Sequence, residues 1–147
     1  RMPDVSYLAT LMGLRLSTCV AWTRGTAGLG GMFRAAWDPM LIMSVGSPSI
    51  LDKAAVRNVI HADKPRGGSH PYEKPVALCA HYLERVPRGV VVDPFAGVGA
   101  SGVAAKQCGH KWIGIEIDEK FCEITAHRLS QRMLFGGLEP TTELVAG

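Results

Sequence analysis

The residues best suited to chemistry form one run, Val90-Val91-Val92-Asp93-Pro94-Phe95-Ala96-Gly97-Val98-Gly99-Ala100-Ser101. Three β-branched residues read as a buried strand, and the glycines after them as a tight turn. Gly97 and Gly99 let a ligand come close to the backbone. The helix that follows offers its N-terminal N–H groups to a negatively charged ligand group. Glu116 stands 19 residues after Gly97, at the end of the next expected strand. An acid at that distance is where a βαβ unit holds ribose hydroxyls, so the expected ligand contains an adenosine.

Two ligand classes fit this pattern. Gly97, Gly99 and Gly102 satisfy the Gly-x-Gly-x-x-Gly spacing of dinucleotide sites. Asp93, however, puts a carboxylate at the strand end, where it would meet a positively charged group. S-adenosylmethionine carries an ammonium and a sulfonium, whereas NAD brings a pyrophosphate. A turn that only joins strand to helix is the bland alternative.

These residues need elements to position them. Leu14 to Trp22 reads as a strand, preceded by the end of a helix over Met2 to Met12. Gly25 to Gly31 is a loop, and Met40 to Val45 a second strand after Asp38-Pro39. Gly46 to Ser69 is the least regular stretch before the tail. Pro75 opens a helix whose stripe is Val76, Cys79, Leu83 and Val86, ended by Pro87 and Gly89. Ala100 to Cys108 is a helix stopped by Gly109, and Lys111 to Ile117 a strand. Asp118 caps a helix from Glu119 to about Arg132, with Phe121, Ile124 and Leu129 on one face. This order implies an α/β fold with a parallel sheet.

The chain has 147 residues and a mass of 15.8 kDa, enough for one domain with its own core. At 47% apolar and 20% charged residues it has globular composition. It has no uncharged apolar run long enough for a membrane helix, and no signal peptide is read at its start. Its four cysteines form no C-x-x-C pair, so reduced thiols and a cytoplasmic location are expected and a metal site is not. Up to Tyr72 there are eight basic and four acidic residues; afterwards there are eight and nine. A basic first half suits a polyanion, and a solvated surface equally.

Asp93-Pro94-Phe95-Ala96-Gly97-Val98-Gly99 followed by Gly114-Ile115-Glu116-Ile117-Asp118 resembles the cofactor core of bacterial and phage DNA amino-methyltransferases. His70-Pro71-Tyr72-Glu73-Lys74-Pro75 is similar to that family's His-Pro-x-x-Lys-Pro signature, and Trp22 to Gly46 to its Trp and glycine-loop stretch. The resemblance covers most of residues 20–130. It implies a Rossmann-like S-adenosylmethionine-dependent methyltransferase fold, partial and permuted, with a mainly parallel sheet. It implies methyl transfer to N6 of adenine or N4 of cytosine, in a base extruded from the duplex. The family's catalytic Asp/Asn/Ser-Pro-Pro-aromatic motif is missing, so no catalytic residue is expected in this chain; in the permuted order the motif would lie upstream of Arg1. A remnant that keeps only cofactor binding is the alternative.

The resemblance also assigns roles. Asp93 is expected near the methionine ammonium, with Phe95, Ala96, Gly97 and Gly99 along the cofactor. Glu116 would accept from the ribose hydroxyls, and Ile117 would pack on adenine. Lys74 would lie toward the cofactor's carboxylate end, and His70 is a weaker cofactor contact. Residues 46–69 are the expected target-recognition loop, where Lys53, Arg57, Lys64 and Arg66 would touch phosphates of double-stranded DNA. The expected organisation is one methyltransferase domain over 1–134, with its cofactor half at 70–134 and a flexible tail at 135–147. No membrane partner is expected, and a homodimer is a possible assembly.

Overall fold

The computed structural model describes residues 7, 9–25, 31–47, 56–65, 67–70, 72–131 and 142–144. The chain divides into two compact units, Arg1–Asp63 and Lys64–Gly147. In the first unit, helical residues run to Leu11 and the chain turns at Gly13, whose φ of 71° favours a residue without a Cβ. Strand β1 (Arg15–Thr23) follows, paired antiparallel with β2 (Trp37–Ser44) and parallel with β3 (Val59–His61). Val20 and Trp22 alternate inward on β1, and the Trp22 indole donates to Ala62 O at 2.8 Å.

Two expectations change here. Asp38-Pro39, expected to precede the strand Met40 to Val45, lies within β2, which begins at Trp37. Proline is tolerated because β2 is at the sheet edge, where a missing N–H leaves no ladder bond broken. The stretch read as irregular contains β3, whose Ile60 is buried.

The second unit carries the glycine turn and the acid that follows it. Helix α1 (Val76–Leu83) starts after Pro75 and ends before Val86, one turn short of the expected stripe. Strand β4 (Val90–Asp93), helix α2 (Ala100–Cys108) and strand β5 (Lys111–Gly114) form a parallel β–α–β unit. Helix α3 (Glu119–Ser130) follows, with the Asp118 carboxylate accepting from Lys120 N at 3.0 Å as the expected cap. Strand β5 stops at Gly114 rather than Ile117; just beyond it the Ile115 N–H donates to Asp93 O at the end of β4 and its carbonyl accepts from Ala96 N in the turn, both at 2.9 Å. In the segment expected as a flexible tail, Thr142–Leu144 form β6, which pairs parallel with β5. Among the described residues three of the four strand pairings are parallel.

The core of this unit centres on Trp112, with Ala96, Ala105 and Leu129 buried around it. The indole fits because two neighbours lack side chains. A Cβ on Gly102 would come within 3.0 Å of the ring, and one on Gly114 would collide with it outright. Lys106 ties α2 to α3 by donating to Leu129 O at 2.6 Å and Gln131 O at 3.0 Å, which satisfies carbonyls at the end of α3. His110 ties α1 to β4: one ring nitrogen accepts from Gly89 N at 3.2 Å and the other meets Leu83 O at 2.8 Å. Gly114→Ala should overpack this core and lower stability by about 1–3 kcal/mol, read from urea unfolding. An unchanged midpoint would mean that the indole has room to move aside.

Candidate functional site

The turn between β4 and α2 closes on itself through almost every polar group it has. Gly97 and Gly99 adopt φ of 53° and 75°, which residues with a Cβ rarely do. The N–H of Phe95 donates to the Asp93 carboxylate at 3.0 Å, and that of Ala96 to Ile115 O at 2.9 Å. Gly97 N donates to Glu116 Oε2 at 2.7 Å, and Gly99 N to Ala96 O at 2.9 Å. The carbonyls are claimed by α3: Thr125 Oγ1 donates to Gly97 O at 3.0 Å and Arg128 to Val98 O at 2.7 Å. Gly99 has a second reason to be glycine, since a Cβ there would meet the buried Thr125 side chain at 2.6 Å.

A cleft of about 260 Å³ opens beside this turn. His70, Tyr72, Glu73 and Lys74 line it from the segment before α1, with Cys79 from α1. Asp93, the turn residues Phe95 to Val98, and Ala100 and Ser101 of α2 line the remainder. The expected residues His70, Lys74, Asp93, Phe95, Ala96 and Gly97 are therefore brought together. Gly99 lies buried beneath the turn and contributes its backbone shape instead. Phe95 is 88% exposed and Ile117 is 96% exposed, so neither apolar side chain has a partner that covers it.

The charges of the site are held in place. Glu116 accepts from Gly97 N with one oxygen and from Asp118 N with the other, at 3.0 Å. The Asp118 amide bond does most to hold this carboxyl below its ordinary range; partial burial opposes it, and the Gly97 and Ile117 amides and nearby His70 add to the lowering. Asp93 accepts from Phe95 N with one oxygen and from the Ser101 hydroxyl with the other. Trp112 Nε1 in turn donates to Ser101 Oγ at 3.1 Å. Burial, and then the charge of Asp93, push the Cys79 thiol up, against the smaller effect of Lys74. Cys79 thus stays protonated and is a poor nucleophile.

His70 is fixed more firmly than the sequence indicates. Its ring packs edge-on to Phe121 at 4.7 Å between centroids, and its Nδ1 accepts from Tyr72 N at 3.0 Å. Glu73 pairs with Arg128 at 2.8 Å and also accepts from Ser69 N at 3.1 Å.

Sequence reasoning missed Ser101, Glu73, Thr125 and Arg128. Ser101 and Thr125 supply hydroxyls to Asp93 and to the turn. A usable signal existed in α3, where Thr125 and Arg128 are spaced i, i+3 beside the apolar positions Phe121, Ile124 and Leu129. Of the expected phosphate contacts, Arg57 is exposed and Lys64 half-buried, while Lys53 and Arg66 lie outside the described residues, as does Pro71. Among the described residues no group of three or more His, Cys, Asp or Glu is placed to hold a metal. No helix among them is long and apolar enough to cross a membrane.

Comparison with known proteins agrees with this geometry. The chain is 36% identical over 95 residues to YubD of Escherichia coli (strain K12), an alignment covering 63% of this chain and 39% of that protein. The chain spans well under half the length of the curated relatives it matches. The crystal structure of the M1.HpyAVI–SAM complex superposes with a TM-score of 0.74 at 19% identity, over 88% of this chain and 70% of that one. The PvuII DNA methyltransferase, described as cytosine-N4-specific, gives a TM-score of 0.73 at 16% identity, over 91% and 58%. At such identities the structural likeness establishes the fold, which is the Rossmann-like fold of S-adenosylmethionine-dependent methyltransferases with mixed, mostly parallel strands. The family described as DNA methylase matches residues 27–127, most of the chain, and this protein therefore belongs to the DNA methylase family.

Proposed function

We propose that this chain provides the S-adenosylmethionine site of a DNA amino-methyltransferase that methylates the exocyclic amine of adenine (N6) or cytosine (N4). One observation carries the choice of cofactor: the amides of Phe95, Ala96, Gly97 and Gly99 are consumed by the protein itself, and the cleft beside them is lined by both Asp93 and Lys74. A pyrophosphate would lack those amides and face a carboxylate. An amino acid end, with its ammonium and its carboxylate, matches the two charges.

The remaining residues fit the same ligand. The two Glu116 oxygens keep acceptor capacity beyond the amides they hold, so the carboxylate can also accept from ribose hydroxyls. Exposed Phe95 and Ile117 offer the apolar surfaces an adenine ring would cover. When bound, S-adenosylmethionine supplies an electrophilic methyl group. The chain's own part is to bind and orient that molecule, which lowers the entropic cost of bringing methyl and amine together. Direct attack by the amine suits a site whose cleft thiol, Cys79, stays protonated. Double-stranded DNA is the proposed partner, with Lys53, Arg57, Lys64 and Arg66 on its phosphates.

A second reading is cofactor binding without transfer. It is favoured by the absence of an Asp/Asn/Ser-Pro-Pro-aromatic tetrapeptide from the 147 residues. Calorimetric titration and labelled-methyl transfer to DNA test the two together. S-adenosylmethionine should bind and NAD should not; the reverse would overturn the cofactor reading. Methyl transfer by this chain alone would overturn the second reading.

Three further outcomes follow. Glu116→Ala should weaken S-adenosylmethionine binding by roughly tenfold or more, the scale of a hydrogen bond to a charged group. Because the Glu116 carboxyl sits below its ordinary 4.5, its contribution is complete above that pH and is lost as pH falls through the lowered value. Affinity measured from pH 7 downward should therefore hold through mild acid in the native chain. Replacing all four basic residues by glutamine should weaken DNA binding and flatten its dependence on salt; an unchanged slope would place the phosphate contacts elsewhere.

A further inference from the structure

Arg128 and Glu73 connect two parts of the cleft that the sequence keeps 55 residues apart. Arg128 stands near the end of α3, and one of its terminal nitrogens donates both to Glu73 Oε1 at 2.8 Å and to Val98 O at 2.7 Å. The other Glu73 oxygen accepts from Ser69 N at 3.1 Å. The Glu73 side chain is only 8% exposed, and that of Arg128 is 24% exposed. A pair this sheltered is screened little by salt and holds one geometry.

The segment so held is the one that carries His70, Tyr72 and Lys74 into the cleft. It is short and, among its described residues, has no helix or strand before α1. Its backbone is fixed by local bonds: Glu73 N donates to His70 O at 3.0 Å, and Tyr72 N to the His70 ring. These local bonds fold the segment but do not attach it to the turn. The Arg128–Glu73 pair does, because the same guanidinium reaches Val98 in the turn and Glu73 in the segment.

We propose that Arg128 and Glu73 are positioning residues that fix the distance between Lys74 and the glycine turn, and so set affinity for the amino acid end of the cofactor. This inference rests on the S-adenosylmethionine reading above. The adenosine end has a different support. Glu116 and Ile117 follow β5, and Glu116 is held by the Gly97 and Asp118 amides rather than by Arg128. Loss of the pair therefore separates the two ends of the ligand.

The test uses two probes on the whole chain. S-adenosylhomocysteine keeps the amino acid end, and 5′-methylthioadenosine lacks it. Glu73→Ala and Arg128→Met should each weaken S-adenosylhomocysteine by about tenfold or more, as expected when a held segment must be ordered on binding. Each should change 5′-methylthioadenosine by no more than about twofold. Hydrogen exchange, read without ligand, should quicken in residues 69–74 and stay unchanged in α2. Equal weakening of both probes, or faster exchange throughout, would mean that the pair supports the whole unit and would overturn the inference. Selective loss in Glu73→Ala but not in Arg128→Met would make Glu73 a direct ligand contact, and would overturn it too. Should Arg128→Met fail to fold, Arg128→Gln replaces it; it keeps a polar side chain but not the charge that pairs with Glu73, and must show the same selective loss. A native chain that binds neither probe would instead overturn the cofactor reading on which the inference stands.

Discussion

The hydrogen bond from Gly97 N to the Glu116 carboxylate is the contact on which the site depends. It joins the turn after β4 to the chain leaving β5, so the two halves of the β–α–β unit share one side chain. The geometry needs a φ of 53° at Gly97, which a residue with a Cβ rarely adopts, and an ionised acid 19 residues later. The carboxylate is held ionised by the same amides that it holds in place. Turn and acid are therefore one structural unit.

Around that contact, the second unit assigns its polar groups in layers. Side chains of α3 take the turn carbonyls, while Asp93 and Glu116 take turn amides. The Ser101 hydroxyl then donates to one Asp93 oxygen, and the Trp112 indole donates to that hydroxyl. Trp112 is at once the centre of the core and the end of this chain of hydrogen bonds, so packing beneath the turn and charge orientation above it are not independent. Gly102 and Gly114 serve the same end, leaving room for the indole.

What the cleft can bind follows from what is already spent. A nucleotide phosphate is usually held by free amides at a glycine turn. Here four such amides are bonded within the protein, and a carboxylate, Asp93, lines the cleft. The exposed apolar faces of Phe95 and Ile117 remain as surface for a flat ring. Membership of the DNA methylase family and this distribution of charge point the same way, from unrelated observations.

Much of the site was legible from residues alone. Val90–Asp93, the turn glycines, helix Ala100–Cys108 and the Asp118 cap were readable because their signals are local: β-branched runs, glycine, and a capping acid. Glu116 was readable because the length of one β–α–β repeat fixes its distance from Gly97. Tertiary structure alone decided the rest. Nothing local marks Arg128 as the partner of Glu73, or Ser101 as the partner of Asp93, because those pairs exist only once helices and strands have packed. The parallel pairing of β3 with β1 and of β6 with β5 was also hidden. Three-residue strands carry too little pattern of their own, and such strands are held by the ladder they join.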